Sequence, residues 1–212
     1  MRNKLSLFSH STSLDSRSTT PEVERERVMT RCGGGYNTVM KQEFIKKNIK
    51  QEELLVISKW TKESSDIKNT MWGVDNLHKK EADIMFSLFD NYQSNVTIGT
   101  VLYRGMAVPE DLFLAMEYDK LTKGSHYTPD EVAISSFSKS KKIAFEFAME
   151  GDSRRKVILK IYAKDENLLD ITSFSEVEKE EENILHKNIW YNVVKIKSIN
   201  RGGIEWLLME LK

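Results

Sequence analysis

What most constrains this chain is the order in which two hydrophobic periodicities follow one another. From Tyr36 to about Tyr92 apolar residues recur at helical spacing. Val39, Phe44 and Ile45 open the pattern, Leu54, Leu55, Ile57 and Trp60 continue it, and Ile84, Met85, Leu88 and Phe89 form a third stripe. Gly73 is the only glycine in that stretch, so about three helices are expected there. After Val96 the signal changes. Thr97–Arg104 is rich in β-branched and aromatic residues and reads as a strand ending at Gly105. Lys156–Ala163, Leu168–Ile171, Ile189–Ile196 and Ile204–Leu211 are the later strand candidates. Helices first and strands mostly after define an α+β fold with a largely antiparallel sheet, not an alternating βα repeat.

The 212 residues fit one domain, or one core with a helical extension. Residues 1–35 are rich in Ser, Thr, Arg and Gly and read as a flexible N-terminal segment. Its closing Gly33-Gly34-Gly35 is not followed by the Lys-Ser/Thr of a phosphate loop and reads as a linker. Residues 36–212 then make a single domain, helical over 36–94 and mainly β over 95–212. Lys plus Arg balances Asp plus Glu at 32 each, which argues against bulk attraction to nucleic acid or to an anionic membrane. The one cysteine, Cys32, cannot form an internal disulfide, which suits a reducing compartment. No long apolar run and no sustained apolar leader is present, so a cytoplasmic protein is expected. His10, His78, His126 and His186 are scattered, and no metal site is expected from them.

Three polar features stand on the apolar framework. Arg104 ends a hydrophobic strand directly before Gly105, and its guanidinium offers a planar donor fork suited to phosphate. Ser136-Phe137-Ser138 follows the short extended run Ala133-Ile134-Ser135 and precedes a helix with Ser140 as N-cap. That helix carries the stripe Ile143, Ala144, Phe147 and Ala148, and in an extended segment Ser136 and Ser138 share a side with Phe137 opposite. Glu180-Glu181-Glu182 closes an acidic run and enters the apolar Ile184-Leu185. If extended, it places Glu180 and Glu182 on one face, with mutual repulsion raising their pKa values. Each feature has a plainer meaning by itself: a salt bridge, a helix cap, a solvated surface.

Their order is more specific. Leu102-Tyr103-Arg104-Gly105, then Ser136-Phe137-Ser138 with Ala144-Phe145-Glu146-Phe147-Ala148, then Glu180-Glu181-Glu182-Asn183-Ile184-Leu185 resembles the R-S-E class of mono-ADP-ribosyltransferases. Trp60-Thr61 and Ser65-Asp66-Ile67-Lys68-Asn69 look like the helical segment before the arginine strand of that class, so the resemblance covers about residues 50–200. Within the class the chain looks most like the Mod-type enzymes of T4-like phages, with bacterial arginine-modifying toxins as near relatives. Phe137 stands where the class commonly has Thr, and Glu178-Lys179-Glu180 offers a second possible Glu-x-Glu register.

The resemblance implies a two-sheet catalytic core, NAD as substrate, no metal, and transfer of ADP-ribose to a protein arginine. Breaking the nicotinamide–ribose bond builds an oxocarbenium-like cation, which a carboxylate stabilises. Glu182 takes that role and bonds a ribose hydroxyl, with Ser136 holding it. Arg104 grips the phosphates, the Gly105 backbone pairs with the nicotinamide amide, and Ser138 lies at the same site. Glu180 orients the acceptor arginine and takes its proton. The implied partner is an acceptor protein, in a phage setting from host transcription or translation. The alternatives are an NAD glycohydrolase and a non-catalytic binding module on the same fold.

Overall fold

A computed structural model describes residues 38–118, 125–164, 167–175 and 177–212. The segment 1–35, with Cys32 and the glycine triplet, lies outside the described residues, as do Gly124 and the side chain of Glu178.

The N-terminal part holds four helices: α1 over 38–48, α2 (Gln51–Lys62), α3 (Ser65–Met71) and α4 (Lys79–Asn91). Their stripes meet in one apolar cluster that includes Ile57, Trp60, Ile67, Met85 and Leu88. Glu53 ties two helices together. Its carboxylate accepts from the Lys50 backbone at 2.8 Å, capping α2, and from the Tyr92 hydroxyl at 2.7 Å beyond the end of α4.

Eight strands follow among the described residues: β1 (Val101–Ala107), β2 (His126–Tyr127), β3 (Ser135–Ser138), β4 (Arg155–Tyr162), β5 (Leu168–Asp170), β6 (Glu182–Leu185), β7 (Tyr191–Arg201) and β8 (Ile204–Leu211). Helix α5 (Glu110–Tyr118) follows β1, and α6 (Lys141–Glu150) follows β3. The strand order is β2-β7-β8-β4-β1-β3-β6-β5. All neighbours are antiparallel except β4 and β8, which run parallel. The fold is therefore α+β with N-terminal helices and a mixed, mostly antiparallel sheet. Two groups of strands, β2-β7-β8-β4-β1 and β3-β6-β5, meet through one residue pair, Tyr103 with Ser138. Residues Ala133, Ile134, Leu169, Ile171 and Ile184 of the second group join the helical cluster. The larger core packs Leu102, Phe113, Phe137, Leu159 and Leu207.

Some boundaries differ from the sequence reading. β1 starts only at Val101 because the Thr100 N–H bonds back to the Thr97 carbonyl, closing a turn around Gly99. It also runs past Gly105, which pairs with Ile158 of β4. Ser136 and Ser138 lie inside β3 and do not follow it. β7 and β8 form a hairpin through Gly202 and Gly203, both at positive φ (62° and 77°), the conformation a two-residue hairpin turn demands. No helix of the described residues is long and apolar enough to cross a membrane.

Gly105 has a packing reason. A Cβ there would collide with the Ala144 carbonyl of α6, so the helix backbone lies directly on the strand. Ala144 and Ala148 keep the same face of α6 small. Gly105→Ala is expected to cost about 3 kcal/mol by overpacking, lowering Tm by roughly 10 °C for a domain of this size. Thermal unfolding measures it, and an unchanged Tm would contradict the close contact.

Candidate active site

A cleft of about 420 Å³ opens between the α2–α3 corner, β1, β3, α6 and the turn entering β6. Trp60, Lys68, Arg104, Ser136, Glu180 and Glu182 carry its polar chemistry. Gly105, Phe137 and Ser138 also border it.

Arg104 reaches the cleft from the centre of β1, where it pairs with Leu159. Its Nη1 donates to the Ser136 carbonyl at 3.4 Å, while Nε is buried with no partner. Burial lowers its pKa, and Tyr127 and Asp130 oppose that shift. A guanidinium stays protonated under such pressure, so the cleft holds a fixed cation with a spare donor.

Glu182 opens β6 opposite Ser138 and is buried, at 6% exposure. Its Oε1 accepts from the Trp60 indole at 3.0 Å. Oε2 is buried and makes no hydrogen bond. Burial raises the Glu182 pKa, and the nearby Ser136 hydroxyl, the Trp60 indole and Lys68 favour the carboxylate. The Ser136 hydroxyl is thus close enough to favour the charge without satisfying Oε2.

Glu180 ends the short 3-10 turn Glu178–Glu180 and is half-buried. It shares the cleft with Glu182, but not as neighbours on one face of an extended strand. Glu181 between them has φ 47°, and this left-handed residue swings the chain so that both carboxylates line the cavity. Burial is the first cause raising the Glu180 pKa, followed by the charges of Glu182 and of Glu150 on α6. The repulsion expected within the acidic run is thus carried by Glu182, and it comes second to burial.

The serines divide the work. Ser138 accepts from the Ser140 N–H at 3.0 Å, and Ser140 accepts from the Ile143 N–H at 3.4 Å, so together they fix the turn into α6. Phe137 packs in the main core with Leu102 and Phe113 while bordering the cleft.

Two cleft residues, Trp60 and Lys68, are expected from the sequence only as parts of the helical segment before the arginine strand, with no role at the site. Lys68, on α3, is half-buried, and its ammonium makes no hydrogen bond or ion pair among the described residues; its Nζ lies 5.0 Å from the Trp60 ring centroid. Burial and the Arg104 charge pull its pKa down to about 7, against Glu182 and Asp130. Trp60, in the last turn of α2, donates its indole N–H to Glu182, 122 positions away. Only the packing of α2 and α3 on β3 and β6 brings either residue to the site.

Known structures of ADP-ribosyltransferases share this fold. Plx2a, an ADP-ribosyltransferase toxin from Paenibacillus larvae, is 18% identical, with TM-score 0.57 over 82% of this chain and 95% of that one. Vis toxin, an ADP-ribosyltransferase from Vibrio splendidus, is 16% identical, with TM-score 0.57 over 93% of this chain and 88% of that one. The Clostridium limosum C3 exoenzyme is 15% identical, with TM-score 0.55 over 82% and 94%. No protein-family model matches the sequence, and no curated protein matches it. At these identities the likeness is one of fold: the chain has the architecture of an ADP-ribosyltransferase.

Proposed function

We propose that residues 36–212 cleave the nicotinamide–ribose bond of NAD and transfer ADP-ribose to an arginine of a protein. The observation that carries this reading is the convergence of Arg104, Ser136, Glu180 and Glu182 on one cleft. The unpartnered Arg104 Nε and Glu182 Oε2 suit a ligand bearing both anionic phosphates and hydroxyl donors, as NAD does.

Arg104 holds the diphosphate and the Gly105 backbone meets the nicotinamide carboxamide. Glu182, whose carboxylate form Ser136, Trp60 and Lys68 favour against burial, stabilises the positive charge that grows on the ribose as the bond breaks. The bonding pair leaves with nicotinamide, and the acceptor nitrogen supplies the pair for the new bond. An arginine is a poor nucleophile while protonated, so Glu180 orients it and takes the proton. A carboxylate of raised pKa is the better base. The reading extends to an enzyme of the Mod type working in the cytoplasm, with host transcription or translation proteins as first acceptors to test.

The test is transfer of label from NAD to proteins of a bacterial lysate, followed by mass spectrometry of the modified side chain. Label on arginine supports the reading. NAD consumption without label makes the protein a glycohydrolase, and neither makes it a binding module.

Lys68 adds a pH dependence. As pH rises from 6 to 8 its ammonium loses a proton around pH 7, and the cleft loses a cation. NAD affinity is therefore expected to fall roughly fivefold to tenfold over that interval. Lys68→Met should bind weakly at pH 6 and show a flat profile by calorimetry. A flat wild-type profile would remove Lys68 from ligand binding.

A further inference from the structure

Asn183, the second residue of β6, is fully buried, with Phe137 and Asp170 as its register partners. A carboxamide is a poor choice there. Its Oδ1 is enclosed with no hydrogen-bond partner, and a buried unsatisfied acceptor weakens a fold. The other end of the amide makes one short bond, Nδ2 donating to the Glu181 carbonyl at 2.7 Å. Glu181 is the left-handed residue between the two cleft carboxylates. A non-glycine residue in that conformation is strained and persists only where its surroundings hold it.

We propose that Asn183 is a positioning residue: its amide clamps Glu181 in the left-handed turn and so sets where Glu180 stands relative to Glu182. The assignment rests on the roles proposed above for the two glutamates. Glu182 has other supports. It pairs with Ser138, its carboxylate is held by Trp60, and its carbonyl accepts from the Ile171 N–H at 3.0 Å. Among the described residues, Glu180 has only the turn it ends, closed by its N–H donating to the Val177 carbonyl at 3.0 Å. Losing the clamp frees Glu180 and leaves Glu182 in place.

The test uses Asn183→Leu in the full chain, which removes the donor and the orphaned oxygen together. Amide exchange in the peptide spanning residues 178–182 is expected to quicken roughly tenfold while Tm does not fall. The ratio of arginine transfer to NAD hydrolysis is expected to drop roughly fivefold. Adding Glu181→Gly, which takes up positive φ without strain, should restore that ratio. If Asn183→Leu does not fold, Asn183→Ala carries the same comparison. Unchanged exchange, or no recovery in the double variant, would overturn the clamp. A wild-type protein that ignores NAD would instead overturn the function, with the exchange measurement still deciding the clamp.

Discussion

Glu182→Gln is expected to lose both NAD cleavage and arginine transfer, by on the order of 10³-fold in kcat, while melting at a higher temperature at pH 7. Both effects come from one buried charge. In the proposed mechanism the carboxylate would stabilise the growing ribosyl cation because it is charged where water is excluded. The same burial raises its pKa, and Oε2 lacks a partner. The sign for stability follows. With the folded pKa above the unfolded one, the folded state holds its proton more tightly. The penalty is absent below the ordinary carboxylate range, grows as pH rises through it, and is complete above the folded pKa. Gln never carries that charge. The variant should therefore gain about 1 kcal/mol at neutral pH, or roughly 3 °C, and nothing near pH 4. Thermal melts at the two pH values, beside NAD turnover, measure both halves. A variant that keeps its activity would sink the assignment.

Glu180→Ala is expected to separate the two reactions. NAD hydrolysis should stay within about threefold of wild type, while transfer to arginine falls roughly 10²-fold, the usual contribution of a positioned general base. Glu180 is half-buried at the cleft, and its raised pKa makes it a better proton acceptor than a solvated glutamate. Wild-type transfer should accordingly decline with acid as Glu180 takes up a proton. Rates of nicotinamide release and of label incorporation, taken on the same samples, decide the matter. Equal loss of both activities in Glu180→Ala and Glu182→Gln would undo the division of roles.

Much of the architecture was legible because it rests on local chemistry. The stripes of α2, α4 and α6, the Ser140 cap, and the apolar runs of β1, β4 and β8 announce themselves at fixed spacings. Arg104 and the Ser-x-Ser were noticeable as polar groups on an apolar frame. The parallel pairing of β4 with β8 was not, since it joins segments with β5, β6 and β7 between them and carries no local signature. The Glu180–Glu182 geometry misled for a physical reason: alternation assumes extended backbone, and Glu181 is left-handed. Trp60 and Lys68 could be read only as part of a helical segment, because their place at the cleft depends on helix packing across long sequence separations. Gly105 stood out as the glycine after Arg104, but nothing near it in the sequence names the Ala144 carbonyl that packs against it.

The junction between the two strand groups bears on how such a site could be tuned. Arg104 belongs to one group, and Ser136 and Glu182 belong to the other; only the Tyr103–Ser138 pair bridges them in the sheet. The cation and the anion of the cleft thus sit on different strand groups. The larger core spans both, taking Leu102, Leu159 and Leu207 from one and Phe137, Leu168 and Leu185 from the other, so its packing sets the spacing of the two charges. On the proposed function, substitutions in that shared core, away from the cleft, would then act as a coarse gain control on turnover, leaving the reacting groups themselves untouched.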